Sequence, residues 1–162
     1  MFSGCTSLIT TPMLQASSLF YGCYEYMFEN CGSLSKPPVL PALSLNSNCY
    51  SCMFKGCTSL KTAPELNATQ LSTYSYQLMF SDCTSLNYIK ALVINVSSSE
   101  INSWLYGVAS TGIFVKNINA TWTTTGSSGV PSGWTIIYFD PATEKYYLSD
   151  KTTECDDHGN VI

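Results

Sequence analysis

The residues of this chain best suited to chemistry are its cysteines, its single histidine and the acidic residues beside that histidine. Cys155, Asp156, Asp157 and His158 are consecutive, and all four side-chain types can bind a metal ion. A zinc site usually draws spaced pairs of ligands from two clusters, and the chain offers no second histidine. Adjacent residues of an extended segment also point to opposite sides. We therefore predict no metal site and no cofactor.

Nucleophilic catalysis would depend on the same histidine. A Ser–His or Cys–His pair would require His158, close to the end of the sequence, to reach a nucleophile in the body of the chain. Four glutamates stand at unrelated positions, so they suggest no acid–base pair: Glu25, Glu29, Glu65 and Glu100. The sequence predicts a protein that is not an enzyme.

Half of the eight cysteines belong to a repeated phrase, Met-Phe-x-x-Cys-x-Ser-Leu. The phrase occurs four times at a constant spacing of 26 residues, beginning at Met1, Met27, Met53 and Met79. A degraded fifth copy is expected on schedule at Leu105. A fixed period of about 20–50 residues is typical of architectures in which repeats stack on one another.

We expect the recurrent cysteines to be buried, unpaired thiols. One column consists of Cys5, Cys31, Cys57 and Cys83. A second position holds Cys23 and Cys49, then Ser75 and Ile101. Because other residue types replace cysteine there, we expect the position to be a buried packing position, which free cysteine fills well. Disulfides are the alternative, and they would need Cβ atoms about 4 Å apart with matched directions.

Each repeat contains one stretch typical of a strand and one typical of a helix. Leu60–Ala63 is stopped by Pro64, which cannot donate to a ladder, so stacked copies would form a parallel sheet. Within 71–80, Tyr76 and Phe80 stand at helical spacing and predict a short helix or 3₁₀ turn. The predicted fold class is an α/β repeat solenoid, leucine-rich-repeat-like, with short parallel strands on one face and short helices or turns on the other. Tyr24, Tyr50 and Tyr76 are expected to pack in its core.

The domain organisation follows from where the repeats end. Residues 1–104 form four repeats, 105–150 a degenerate repeat and a β-rich C-terminal cap, and 151–162 a polar tail expected to be loosely held. The cap is predicted from strand-like segments, the last two joined by a turn into a hairpin: Gly112–Asn117, Trp134–Phe139 and Lys145–Leu148. The first repeat has no cap, which leaves end-to-end self-association through it as one prediction.

The repeated phrase, with the proline and leucine that follow it, resembles the BspA-like class of leucine-rich repeats. Such repeats occur in surface proteins of gut Bacteroidetes, in mycoplasma lipoproteins, and in proteins of some protists and phages. The resemblance covers residues 1 to about 110. It implies a curved solenoid with a strand-lined inner face, and it brings no catalytic residues with it.

Composition bounds the partners. The net charge is −4 and only seven residues are Lys or Arg, so nucleic acid is not a predicted ligand. No run of about 18 apolar residues is present, so we predict no direct membrane insertion. Charged residues make up 11% of the chain, against roughly 25% in an ordinary globular protein. This composition favours an extracellular or cell-surface location, with a phage virion as the alternative; no signal peptide is visible.

A binding face is expected beside the leucine that begins each predicted strand. If that leucine points inward, the first and third residues after it point outward. The predicted face consists of Ile9, Thr11, Ser35, Pro37, Lys61, Ala63, Asn87 and Ile89. The predicted function is a non-catalytic adhesion or recognition module that binds a protein or glycan there or through the C-terminal loops. The alternative is a structural spacer of a larger cell-surface or virion protein.

Overall fold

The computed structural model describes residues 1–162 and contains no α-helix. Its regular secondary structure is one five-stranded mixed sheet and a three-residue 3₁₀ turn at Gly126–Ser128. The strands are β1 (Tyr88–Ala91), β2 (Gly112–Asn117), β3 (Trp134–Asp140), β4 (Lys145–Tyr147) and β5 (Glu154–Cys155). The chain is thus a small β-rich protein, and the predicted α/β repeat solenoid with helices is wrong.

The sheet follows the order of the chain, β1-β2-β3-β4-β5. The first three strands are parallel, and the last three are antiparallel. The strands predicted in the C-terminal part and the hairpin formed by β3 and β4 are confirmed. The prediction of a loosely held tail is wrong, because Glu154 and Cys155 form the fifth strand.

In the segment 71–80, predicted to be helical, residues 73–80 form successive tight turns. The N–H of Met79 bonds three residues back, whereas the N–H of Phe80 bonds 24 residues ahead, to the carbonyl of Trp104. Tyr74 and Leu78 have positive φ angles of 61° and 52°. An α-helix needs negative φ throughout and a bond from every N–H to the carbonyl four residues back. Alternating bond directions therefore exclude it.

The strands predicted in the first three repeats are reduced to single parallel bridges, such as Thr10 with Lys36 and Thr62 with Tyr88. Proline follows two residues after the bridging position in each of these repeats and ends the pairing, as at Pro64. In the fourth repeat Lys90 occupies the proline position, so pairing continues and β1 forms.

Equivalent residues of successive repeats pack on one another. Phe2, Phe28, Phe54 and Phe80 form a column with 5.6 Å between neighbouring ring centroids. Tyr24, Tyr50 and Tyr76 form a second column, with spacings of 5.9 and 6.2 Å. The prediction that these tyrosines pack in the core is confirmed. A smaller core lies on the other side of the sheet, formed by Val115, Ile137, Phe139 and Cys155.

The fifth copy of the phrase begins one residue earlier than the predicted Leu105. The N–H of Phe54 bonds to the carbonyl of Met79, 25 residues ahead, but that of Phe80 bonds to Trp104, only 24 ahead. Trp104 therefore takes the place of the phrase's methionine. Its fully buried indole stacks on Tyr76 at 6.1 Å.

Candidate functional site

The eight residues of the predicted binding face separate into two groups. Four of them, one in each repeat directly after the leucine, are exposed: Ile9, Ser35, Lys61 and Asn87. Of the other four, Thr11 and Pro37 are half-buried, while Ala63 and Ile89 lie in the main core at 7% and 0% exposure. Two of the eight residues therefore lie in the core, and two more are only partly exposed.

A local irregularity explains why the alternation failed. The N–H groups of Asn87 and Tyr88 both bond to the single carbonyl of Lys61, and the same sharing occurs at Ile9. Two residues facing one is the arrangement of a β-bulge, which shifts the alternation of side chains by one position. The ninth and tenth residues of a repeat then both face outward, and the eleventh faces the core.

These outward residues form what we call the exposed row. It consists of Ile9, Thr10, Ser35, Lys36, Lys61, Thr62 and Asn87, all exposed. Backbone bonds between repeats fix the spacing of the row. The side chains of Lys36, Lys61, Thr62 and Asn87 make no hydrogen bond or ion pair within the chain, so their polar groups are free for a ligand.

The exposed row ends where the C-terminal segment covers the sheet. Lys90 holds the C-terminal segment against the sheet. Its Nζ lies 2.8 Å from Glu65 Oε1 and 3.3 Å from Tyr146 Oη. The same Nζ lies 3.8 Å from the centroid of the Phe139 ring, a cation–π contact. One side chain thus joins the third repeat, β1 and the C-terminal hairpin.

A cleft lies where the exposed row meets the C-terminal segment that covers the sheet. Its volume is about 460 Å³, and its lining is Thr62, Asn87, Tyr88, Thr111, Gly112, Ile113, Asp157 and His158. Asn87 is the one residue of the predicted face that takes part. The sequence prediction missed the others: Tyr88 is the neighbour of Asn87, and the rest come from three further segments that only the fold brings together.

Aromatic and acidic groups form the wall of the cleft on the side of the C-terminal segment. The rings of Tyr88 and His158 are 5.6 Å apart and tilted by 34°. Asp157 Oδ1 lies 2.7 Å from His158 Nδ1. Burial, and then the nearby carboxylate of Asp157, raise the pKa of the Tyr88 phenol. A phenol is protonated at neutral pH even without such a shift, so Tyr88 Oη can donate a hydrogen bond.

The turn that carries this wall is held by Asp156. Its carboxylate accepts hydrogen bonds from the backbone N–H groups of His158 and Asn160 and from the Asn160 side chain, at 2.8 to 2.9 Å. The bond from the Asn160 side chain, first among these, lowers the pKa of Asp156. Ligand atoms of Asp156, Asp157 and His158 lie within 4.8 Å of one another. The oxygens of Asp156 are already engaged in the turn, so this grouping has a structural explanation.

The thiols follow the predicted pattern except in the first repeat. Cys31, Cys57 and Cys83 are buried, and each donates its S–H to the phenylalanine carbonyl 29 residues earlier, at 3.0 to 3.2 Å. Burial raises the pKa of Cys57 to about 12. All eight cysteines are unpaired, but Cys5 and Cys23 are exposed. The expectation of burial is therefore wrong for these two.

The outer face of the first repeat presents backbone groups that are not hydrogen-bonded within the chain. In the turn segments, hydrogen bonds between repeats run from an N–H of one repeat to a carbonyl of the next, as from Tyr24 to Cys49, whereas beside the exposed row they run the other way, as from Ser35 to Ile9. In the first repeat the matching carbonyls, those of Tyr21 and Cys23, accept no bond. The N–H groups of Ile9 and Thr10, which match the donors of Ser35 and Lys36, also make no bond, so this face presents donors as well as acceptors. Self-association through this end stays a prediction, and it would bury apolar residues such as the 97% exposed Met1.

Comparisons of the chain with protein-family models, with curated proteins and with solved structures give no significant match. The resemblance to BspA-like repeats therefore rests on the repeated phrase itself. The structure also has no helix of the length and apolar character needed to cross a membrane.

Proposed function

We propose that the chain is a non-catalytic recognition module that binds a protein or a glycan along the exposed row. The observation that supports this is a contrast between repeat positions: one is constant and packed, whereas another varies and is exposed. The position of Phe54 is phenylalanine in all four repeats and is packed in a column. The position of Lys61 holds a different residue in every repeat, and all four are exposed.

The exposed row suits recognition because its frame is already ordered before a ligand arrives. Bonds between repeats hold its backbone, so binding does not have to order it, and preorganisation of this kind increases affinity. Its only charged side chains are Lys36 and Lys61. An extended ligand that is neutral or weakly acidic fits this chemistry.

A location outside the cell belongs to the same proposal, supported by the low content of charged residues. Eight reduced thiols would ordinarily be a liability in an oxidising environment. Six of them are buried, and thiols with a raised pKa are slow to form the reactive thiolate. Cys5 and Cys23 would be the two that oxidise first.

Binding to a glycan array and to intact cells would test the proposal. Lys61→Ala and Asn87→Ala remove two unengaged polar groups from the exposed row, and we expect the pair to abolish the signal. Asn102→Ala is the matched control, since Asn102 is exposed outside the row. Circular dichroism and thermal unfolding would confirm that all variants fold.

The outcomes separate the two predicted functions. Binding that survives both changes in the row would contradict recognition through this surface. No binding to any glycan or cell type would favour the structural spacer, in which the row is only a solvated surface.

A further inference from the structure

The cleft at the end of the exposed row combines free polar groups with an aromatic wall. The hydroxyls of Thr62 and Thr111 and the amide of Asn87 make no hydrogen bond within the chain. They come from the third repeat, the segment before β2 and the fourth repeat, and they line one cavity. Small-ligand sites are typically cavities on which a few unengaged hydrogen-bond donors and acceptors converge.

The wall opposite these groups is fixed rather than adaptable. Asp157 bonds to His158, and the turn that carries them is closed by Asp156 and Asn160. Tyr88 belongs to β1 and is half-buried, with its ring against His158. The volume of about 460 Å³ falls in the range of roughly 300–1,000 Å³ usual for small-ligand pockets.

The charges in the cleft restrict the class of ligand. Asp157 is the only lining residue that is charged at neutral pH when His158 is neutral, and no Lys or Arg takes part. An anionic ligand such as a phosphate or an acidic sugar would meet a carboxylate without a counter-charge. A purely apolar ligand would leave the threonine hydroxyls and the amide without partners, which is costly.

We propose that the cleft binds one neutral sugar residue. This inference rests on the proposed recognition function and names the class of ligand that the site would hold. The ring hydroxyls of the sugar would bond to Thr62, Asn87, Thr111 and Asp157. Its apolar C–H face would lie against the rings of Tyr88 and His158, since aromatic side chains combine an apolar body with a polar tip. A longer glycan would continue from the cleft along the exposed row.

Titration of the ¹⁵N-labelled full chain with glucose, galactose, mannose and N-acetylglucosamine, followed by NMR, would test this. At least one sugar is expected to shift the amides of 62, 87–88, 111–113 and 157–158 together. Thr62→Val keeps the shape of its side chain but removes the hydroxyl, and we expect a roughly three- to tenfold weaker affinity, the value of one neutral hydrogen bond. Thr10→Val is the matched control, at the same repeat position outside the cleft.

Several results would overturn the proposal. These are the absence of clustered shifts with any of the four sugars, equal effects of the two threonine variants, or the same amides responding to calcium chloride alone, which would indicate a cation site. The failure of the cleft proposal is distinguishable from the failure of the wider recognition function. If array or cell binding is lost on Lys61→Ala but unaffected by Thr62→Val and Asp157→Asn, the module recognises a ligand but the cleft does not hold it.

Discussion

The first and third repeats carry almost the same phrase in different surroundings. Residues 1–8 and 53–60 differ only at the third position, serine in one and lysine in the other. Yet Met1 is 97% exposed whereas Met53 is fully buried, and Cys5 is exposed whereas Cys57 is fully buried. The phrase alone does not decide burial. The neighbouring repeats on either side decide it.

The comparison therefore separates what a residue type contributes from what its neighbours contribute. In the third repeat, Phe54 stacks on Phe28 and on Phe80, while Phe2 has one such neighbour and is half-buried. Stability in this part of the chain comes from contacts between repeats, since hardly any regular secondary structure lies within one. Identical substitutions in the two repeats should then have unequal costs.

The largest inequality is expected at the phenylalanine column. Phe54→Ala removes a fully buried ring and should lower the free energy of unfolding by about 3–5 kcal/mol, the usual cost of such a cavity. Phe2→Ala should cost about 1 kcal/mol, because the ring is only half-buried. Urea unfolding followed by fluorescence would measure both, with the 79% exposed Phe20, changed to Ala, as a control of negligible effect. Equal costs at the two positions would contradict the role given to the neighbouring repeats.

A smaller inequality is expected at the glycine of the phrase. Gly4 and Gly56 have φ angles of +75° and +74°, so alanine is strained in both, by about 1 kcal/mol. A Cβ at Gly4 would meet nothing within 4 Å, but at Gly56 it would contact Asn30 Oδ1. Gly56→Ala should therefore cost about 2–3 kcal/mol in all, and Gly4→Ala about 1. Thermal unfolding would compare them, and a larger effect at Gly4 would refute the argument.

The position of this glycine also shows what the sequence could predict. Its four occupants are Gly4, Asn30, Gly56 and Asp82, and all have positive φ. Gly, Asn and Asp are the residue types that tolerate this conformation best, so a turn was readable there. The period, the burial of the aromatic columns and the C-terminal strands were likewise predictable from residue types and spacing.

The absence of helices was not predictable in the same way. Tyr26, Cys52 and Leu78 share one repeat position and have φ angles of 52° to 56°, a conformation that none of these residue types favours. The neighbouring repeat imposes it by accepting the alternate N–H groups. Local spacing of apolar residues could not reveal that competition.

The cleft was predictable only in part. Asn87 was selected because of its place after the strand leucine, but His158 meets Tyr88 across 70 positions of the sequence. A signal for the order of the tail was present: Asp156, followed by Gly159 and Asn160, is a composition typical of turns. It indicates a local turn and cannot indicate which surface the turn covers.

A third prediction compares the thiols. The pKa of Cys57 is raised by burial from 9.0 to about 12, so its contribution to stability is complete below pH 9 and is lost as the pH rises towards 12. At about pH 9.5 the unfolded state should gain about 1 kcal/mol from this one thiol. Urea unfolding measured from pH 8 to 9.5 should show that the free energy of unfolding declines less in Cys57→Ala than in the unmodified chain. Buried phenols such as Tyr76, whose pKa burial also raises, add their own loss only at higher pH.

Cys5→Ala is the control, because the exposed thiol meets water in the folded and unfolded chain alike. Its alkaline decline should match that of the unmodified chain. Ellman's reagent gives a second measurement: two thiols should react at once and six only on unfolding, in agreement with their exposure. Rapid reaction of Cys57 in the folded chain would contradict its burial.

The smallest effect is expected at the third position of the phrase, the one residue at which the two repeats differ. Lys55 Nζ lies 3.7 Å from Glu29 Oε1, with both side chains partly exposed, and such pairs contribute about 0–1 kcal/mol. Lys55→Gln should therefore lower stability by less than about 0.5 kcal/mol, and less still in 1 M salt.

Ser3 occupies the equivalent position on the other side of Glu29. If equivalent positions are interchangeable, Ser3→Lys should restore the loss in the Lys55→Gln variant, and a double-mutant cycle with Glu29→Gln would isolate the pair. A cost above about 1 kcal/mol, or no rescue from Ser3→Lys, would show that the third repeat holds its lysine in a way that the first repeat cannot reproduce.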